Sequence, residues 1–321
     1  MKAEGNSYLR IFNVLLVVAA YGYLGYKLAT FDDYATLADS FRTVERHKYA
    51  CLMLAMVLMP LNLLCEAWKW RTLMRDIEPM TMAEAMRQVC YGCVGSFITP
   101  YRTGDYPTRV LLLHNHSAWA SAVTLGLIGS LVMLLVELAL GIPAIILFTQ
   151  YKTIIPLQNI LITTMIVMLL LLFLSTGIKL LARHHWSNRY LQQISNELQH
   201  ITFRCFLEVV GISLLRYIVW GIQLALVLHF CNIDLSLVQL VIAIPTYYLL
   251  LSLLPSLPLA DIAVRGSVSL LVFGVFSANL AGITMATIMV WVMNNMLPMM
   301  IGTFIQKQHK TSINQLNTNI S

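Results

Sequence analysis

Residues 160–174 read ILITTMIVMLLLLFL, without one charged side chain. Lipid offers a backbone no hydrogen-bond partner, so such a run is stable there as a helix, and about 20 mostly apolar residues span the hydrocarbon. Residues 11–26 (IFNVLLVVAAYGYLGY) and 281–305 are equally free of charge. Over the 321 residues only 11% are charged and the mean hydropathy is +0.73, where a soluble domain carries about 25% charge. The runs are continuous rather than alternating, which excludes a β-barrel. The expected fold is therefore all-α: a polytopic helical membrane protein of about eight transmembrane helices.

The expected spans are 10–28, 49–66, 119–142, 159–179, 207–230, 236–254, 266–277 and 281–304. The seventh is short for a crossing and suits one arm of a helical hairpin. The first is followed by no small-residue cleavage pattern before Lys27, so it reads as a retained helix rather than a signal peptide. With the N-terminus inside, Arg71, Arg75, Arg87, Arg102, Arg109 and Lys179 are among the many inner cations, whereas Lys27, Arg42, Arg46, Lys48 and Lys152 fall outside. That asymmetry predicts cytoplasmic termini in the cytoplasmic membrane. It also accounts for the net charge of +6 without a nucleic-acid partner. Segment 183–205 suits an amphipathic helix on the inner surface. Residues 1–305 read as one integral membrane domain and 306–321 as a polar, disordered tail. No stretch outside the membrane is long enough for a soluble domain.

Polar residues converge in two places. The first is GSFITPYRTGDYPTR, residues 95–109. Pro100 biases Thr99 away from helix, and Asp105 suits a helix cap with Pro107 in the first turn. Within 79–116 these features describe a helix entering the membrane, a broken tip and a helix leaving. Irregular backbone at membrane depth is tolerated only where it is buried in protein or lines a cavity. The second is LLPSLPLADIAVRGSVSLLVFG, residues 253–274, with prolines, then Asp261 and Arg265, then an apolar helix. Interrupted segments in corresponding positions of two halves point to a transporter's substrate site. Two re-entrant hairpins meeting at a cavity are the expectation.

The order TPYRTGDYPTRVLLL, LPSLPLADIAVRGSVSLLVFGVF and MVWVMNNMLPMMIG resembles the lysylphosphatidylglycerol synthase transmembrane-region family, a flippase-like integral membrane domain. Its first motif is similar to T-P-x-R-x-G-E followed by an arginine, matched by Thr99, Pro100, Arg102, Gly104 and Arg109, with Asp105 in place of glutamate. In the second, Pro255, Pro258 and Arg265 match, while Ala263 and Gly266 stand where glycine and glutamate are usual. Trp291 and Asn294 before Leu297-Pro298 complete the likeness. The resemblance implies movement of a lipid, often anionic or lipid-linked, between leaflets. It does not imply aminoacyl-lipid synthesis, which belongs to a separate soluble domain.

Arginine's planar fork suits a phosphate, so Arg102, Arg109 and Arg265 are expected to engage a headgroup, with Asp105 and Asp261 orienting them. Each has a plainer reading. The first three charges fit a wet loop, and Asp261 and Arg265 fit a helical i,i+4 pair. Glu137 and Arg216 lie inside apolar helices, where ionisable residues are costly; a gate and a structural salt bridge fit them equally. Ala118, Ala122, Gly126 and Ser130 form a small-residue packing stripe. The six cysteines read as small packing residues. Cys90 and Cys93 with His114 and His116 do not converge as zinc ligands must. No metalloprotease, nucleophile-elbow, Walker or dinucleotide motif occurs. No metal, cofactor or enzymatic activity is therefore expected. The rival readings are a non-transporting scaffold or subunit beside a partner lipid-modifying or glycosyl-transfer enzyme, and a transferase working at the inner surface.

Overall fold

The computed structural model describes residues 45–99, 102–115, 118–150, 202–254 and 261–304. Every regular element among them is helical. The expected spans 10–28 and 159–179, segment 183–201 and the tail lie outside these residues.

Among the described residues four helices are long and apolar enough to cross a membrane: α1 from Arg46–Leu73, α4 from Trp119–Thr149, α5 from Phe203–Phe230, and a last helix over 280–304. Between them lie α2 (Met82–Ile98), α3 (Asp105–Val110), α6 (Leu237–Leu253) and α7 (Asp261–Phe273). The last helix, α8, is α-helical over Leu280–Trp291, makes a π turn over Val292–Met296 and resumes to residue 304. The expected spans beginning at 49, 119, 207 and 281 thus have their helices, as has the shorter 236–254. The segment 266–277 is displaced: its helix begins at Asp261, so the Asp–Arg pair is helical rather than part of the preceding loop.

Local chemistry explains the short helices. Thr81 and Glu84 cap α2 reciprocally, and Ser236 and Gln239 do the same for α6. Both helices are 17 residues long and end on an extended residue, Thr99 or Leu254, each followed by a proline. A following proline disfavours helix in its predecessor, which favours a stop at these two residues, although Pro60, Pro143 and Pro245 are accommodated inside helices.

The chain divides into two compact units. Of the described residues, one comprises 45–58, 141–150, 221–254 and 261–292, the other 59–99, 102–115, 118–140, 202–220 and 293–304. The second has its core between α1, α2, α3 and α4, where Trp70, Met74, Val89, Val110, Ala122 and Val132 are buried together. The first buries Tyr247, Phe273 and Ile283. Large apolar side chains such as Met53, Leu61, Leu131 and Ile218 face outward from the long helices, as lipid-facing surfaces require.

Candidate functional site

In the second unit, α2 and α3 fold back on each other around the break. Thr99 donates its hydroxyl to the Gly95 carbonyl (2.8 Å) and accepts from the Gly104 amide (2.7 Å). Thr108 donates to the Gly104 carbonyl at 2.6 Å. A Cβ on Gly104 would overlap the Gly95 carbonyl and Thr99, and one on Gly92 would overlap Asp105 and Arg109. The glycines thus let α3 sit directly on α2. Arg102 has φ 55°, a left-handed backbone that costs a non-glycine residue about 1 kcal/mol or more. Its guanidinium donates to Asn295 Oδ1 at 2.5 Å.

Asp105 does not cap α3. The N-cap position falls on Gly104, which makes no side-chain cap, and Asp105 is the first helical residue. There it accepts both Nε and Nη2 of Arg109, each at 2.8 Å. This is the bidentate geometry that makes such pairs strong.

Arg109 leads inward. It is 2% exposed and lies over the rings of Tyr106 (4.8 Å) and Trp70 (5.4 Å). Trp70 donates to Gln88 Oε1 at 2.6 Å, and the Tyr106 hydroxyl meets Ser130 Oγ at 2.6 Å. A Cβ on Gly126 would strike the Tyr106 ring. Two members of the small-residue stripe therefore seat the aromatic that flanks Arg109. Ala118 precedes α4.

Arg109 Nη1 also lies 3.0 Å from Glu66 Oε1. The approach is off the N–H direction, so it is an ion-pair contact and not a hydrogen bond. Glu66, 3% exposed, is the centre of the network. Its Oε2 accepts from Lys69 Nζ at 2.7 Å and from Arg216 Nη1. Arg216 Nε donates to Asn62 Oδ1 (2.8 Å), and Asn62 Nδ2 donates to Asn294 Oδ1 (3.0 Å). The π turn thus carries Asn294 and Asn295 to two different partners, in keeping with the frequent placement of such turns at functional sites.

Arg216 finds its ion pair in Glu66, not in Glu137. Glu137 is half-buried on α4 and lies near Tyr217 instead. Glu66, Lys69 and Asn62 escape a motif search because they sit in a helix that otherwise reads as an ordinary span. The signal was available: positions 62, 66 and 69 share one face of α1, and polar residues in register on an apolar helix mark a buried site.

In the first unit, Arg265 donates Nε to Asp261 Oδ1 at 3.0 Å, and Trp291 donates its indole N–H to Asp261 Oδ2 at 2.6 Å. The Tyr247 hydroxyl lies in hydrogen-bonding reach of Arg265 and Thr287. The i,i+4 pairing anticipated for Asp261 and Arg265 is present.

Cys90 and Cys93 are free thiols on α2, and His116 lies outside the described residues. Among the described residues no group of three or more His, Cys, Asp or Glu side chains could hold a metal.

Long lipid-facing helices, two helices broken at proline and a buried polar network define a polytopic helical membrane protein built on interrupted helices. The chain belongs to the family of the lysylphosphatidylglycerol synthase TM region, a family of membrane domains whose sequence pattern matches residues 11–302. Comparison with curated proteins returns no match.

Proposed function

We propose that the protein translocates an anionic phospholipid or lipid-linked molecule across the cytoplasmic membrane, its termini on the cytoplasmic side. The supporting observation is charge imbalance. Among the described residues three buried or half-buried cations, Lys69, Arg109 and Arg216, are joined by ion pairs to two carboxylates, Glu66 and Asp105. A surplus positive charge in a water-poor site is costly unless an anion completes it. Arg102, exposed at the break, adds a further cation at the approach. In this reading Glu66 occupies, between passages, the place that a headgroup phosphate takes during one. Asp105 keeps the Arg109 fork flat and aimed. In the other unit Asp261 and Arg265 are a headgroup contact of their own, Glu137 and Arg216 serve as gate or structural charges, and α2–α3 and α6–α7 are re-entrant hairpins.

The test is reconstitution in liposomes carrying labelled phosphatidylglycerol or phosphatidylcholine, with loss of outer-leaflet label followed for the parent and Arg102→Ala. Movement of the anionic lipid by the parent and its loss in the variant, with folding intact, supports the proposal. Equal movement by both rejects the assigned site. A scaffold beside a lipid-modifying enzyme is the second reading, favoured by the closed bidentate Asp105–Arg109 pair. A parent that moves no lipid while its packing variants unfold would support it.

A further inference from the structure

A separate cationic pocket lies on the outside of the same unit, at the end of the first described span. Leu61, Leu64, Trp68 and Arg71 recur at intervals of three and four along α1 and so share one face, and Arg75 follows in the turn beyond its end. Leu61 is 40% exposed, Leu64 41% and Trp68 43%. The face therefore runs from bare apolar surface, through an interfacial tryptophan, to two arginines just where the span Lys48–Leu73 ends. The arginines line a pocket of about 220 Å3 with Trp68, Thr72, Met80 and Glu208.

The two arginines are used differently. Arg75 Nη2 donates to both Glu208 oxygens (3.2 and 3.1 Å), and Thr72 donates to one of them at 3.2 Å. Glu208 is thus matched to Arg75. Arg71 donates Nε to the Met80 carbonyl at 2.9 Å. That bond fixes the side chain by its neck, and among the described residues both terminal amino groups make no further hydrogen bond and no carboxylate pairs with the charge. A guanidinium anchored in this way presents a preset fork to an oxyanion. Tryptophan at the same level is a headgroup-depth anchor, and basic pockets at helix ends hold anionic headgroups.

We propose that this pocket is a lipid-binding site for the phosphodiester of an anionic phospholipid, with the phosphate on Arg71 and an acyl chain lying along Leu64 and Leu61. The apolar stripe beneath the arginine selects a lipid over free phosphate. The site stands whether or not the protein transports anything.

The test uses the full chain in phosphatidylcholine nanodiscs with increasing brominated phosphatidylglycerol. Subtracting the fluorescence of Trp68→Phe from that of the parent isolates Trp68, the bromine's nearest reporter here. Brominated phosphatidylglycerol should quench this difference signal at lower mole fraction than brominated phosphatidylcholine does. Arg71→Gln should raise the half-quenching fraction about tenfold, the loss of one charge-assisted contact. Arg71→Lys should fall between, and Arg87→Gln, an exposed arginine of the same unit, should match the parent. The inference is overturned by equal quenching from both lipids, or by unchanged selectivity in Arg71→Gln and Arg71→Lys. It is also overturned if Arg87→Gln weakens the effect equally, which makes it general surface charge. Relief of quenching by inorganic phosphate overturns it too, since the site then takes small anions.

Discussion

The two broken segments use one local device and arrive at different electrostatics. Each has a 28-residue helix, then a 17-residue helix with a reciprocal cap, then an extended residue before proline. Each resumes with an aspartate at the first helical position and an arginine four residues on. In α7 one aspartate oxygen accepts from Arg265 and the other from the neutral Trp291 indole. In α3 the aspartate gives both oxygens to Arg109, and Arg109 is drawn on to Glu66, where two more cations converge. The Asp–x–x–x–Arg element itself carries one charge of each sign. The additional cations are Lys69 on α1 and Arg216 on α5, so the neighbours of a repeated element decide how much positive charge gathers around it.

The largest test of this contrast removes the central acid on each side. Glu66→Gln leaves buried cations uncompensated and is expected to cost about 3–5 kcal/mol, whereas Asp261→Asn should cost about 1.5–3 kcal/mol, the scale of one charge-assisted hydrogen bond. Thermal unfolding of both in one detergent gives the ranking, and equal losses would remove the distinction between network and pair. A smaller difference is expected from lysine at the two arginines. Arg109→Lys forfeits the bidentate bond and the planar stack between rings, at about 2 kcal/mol. Arg265→Lys keeps a single donor for Asp261 and should cost less than about 1 kcal/mol. A larger loss at 265 would show that the simpler pair depends on the fork as well.

The smallest effect separates surface charge from buried charge. Glu78 accepts from the amides of His114 and Asn115 and from the His114 ring. Partial burial pushes its carboxyl up, but those bonds prevail and hold it below the ordinary value. His114 is raised by its hydrogen bond to Glu78. The histidine's contribution is full below its unfolded value near 6.5 and fades as pH rises through its raised folded value. The carboxylate's is present above 4.5 and fades as pH falls through its lowered folded value. The pair should therefore help most between these limits. The melting difference between the parent and His114→Ala should narrow from pH 5.5 to pH 8.5; a constant difference would mean that the ring matters for packing and not charge.

The long helices and both breaks are legible in the sequence because they follow from local causes: apolar runs, prolines and capping residues. Thr99, Pro100, Arg102, Asp105 and Arg109 announce a site for the same reason, since a charged, broken segment stands out against apolar surroundings. The partners of that segment do not. Glu66 and Lys69 read as the polar end of a span, and only tertiary packing shows that they face Arg109 and Arg216. The expected Glu137–Arg216 pair fails on the same ground. Both residues are intramembrane charges, but spacing along the chain says nothing about which helices are neighbours.

The π turn in α8 has a consequence for the phase of the helix. An α-helix turns about 100° per residue, and the wider turn over Val292–Met296 takes up an extra residue. Everything after it is rotated relative to what an unbroken helix would present. Gly302 packs against the Cys90 carbonyl so closely that a Cβ would overlap it, and Pro298 is buried. Deleting one residue from the wide turn would restore regular winding and swing both off their contacts by roughly a quarter turn. The length of this segment is thus as much a determinant of the docked helix end as the identity of any side chain in it.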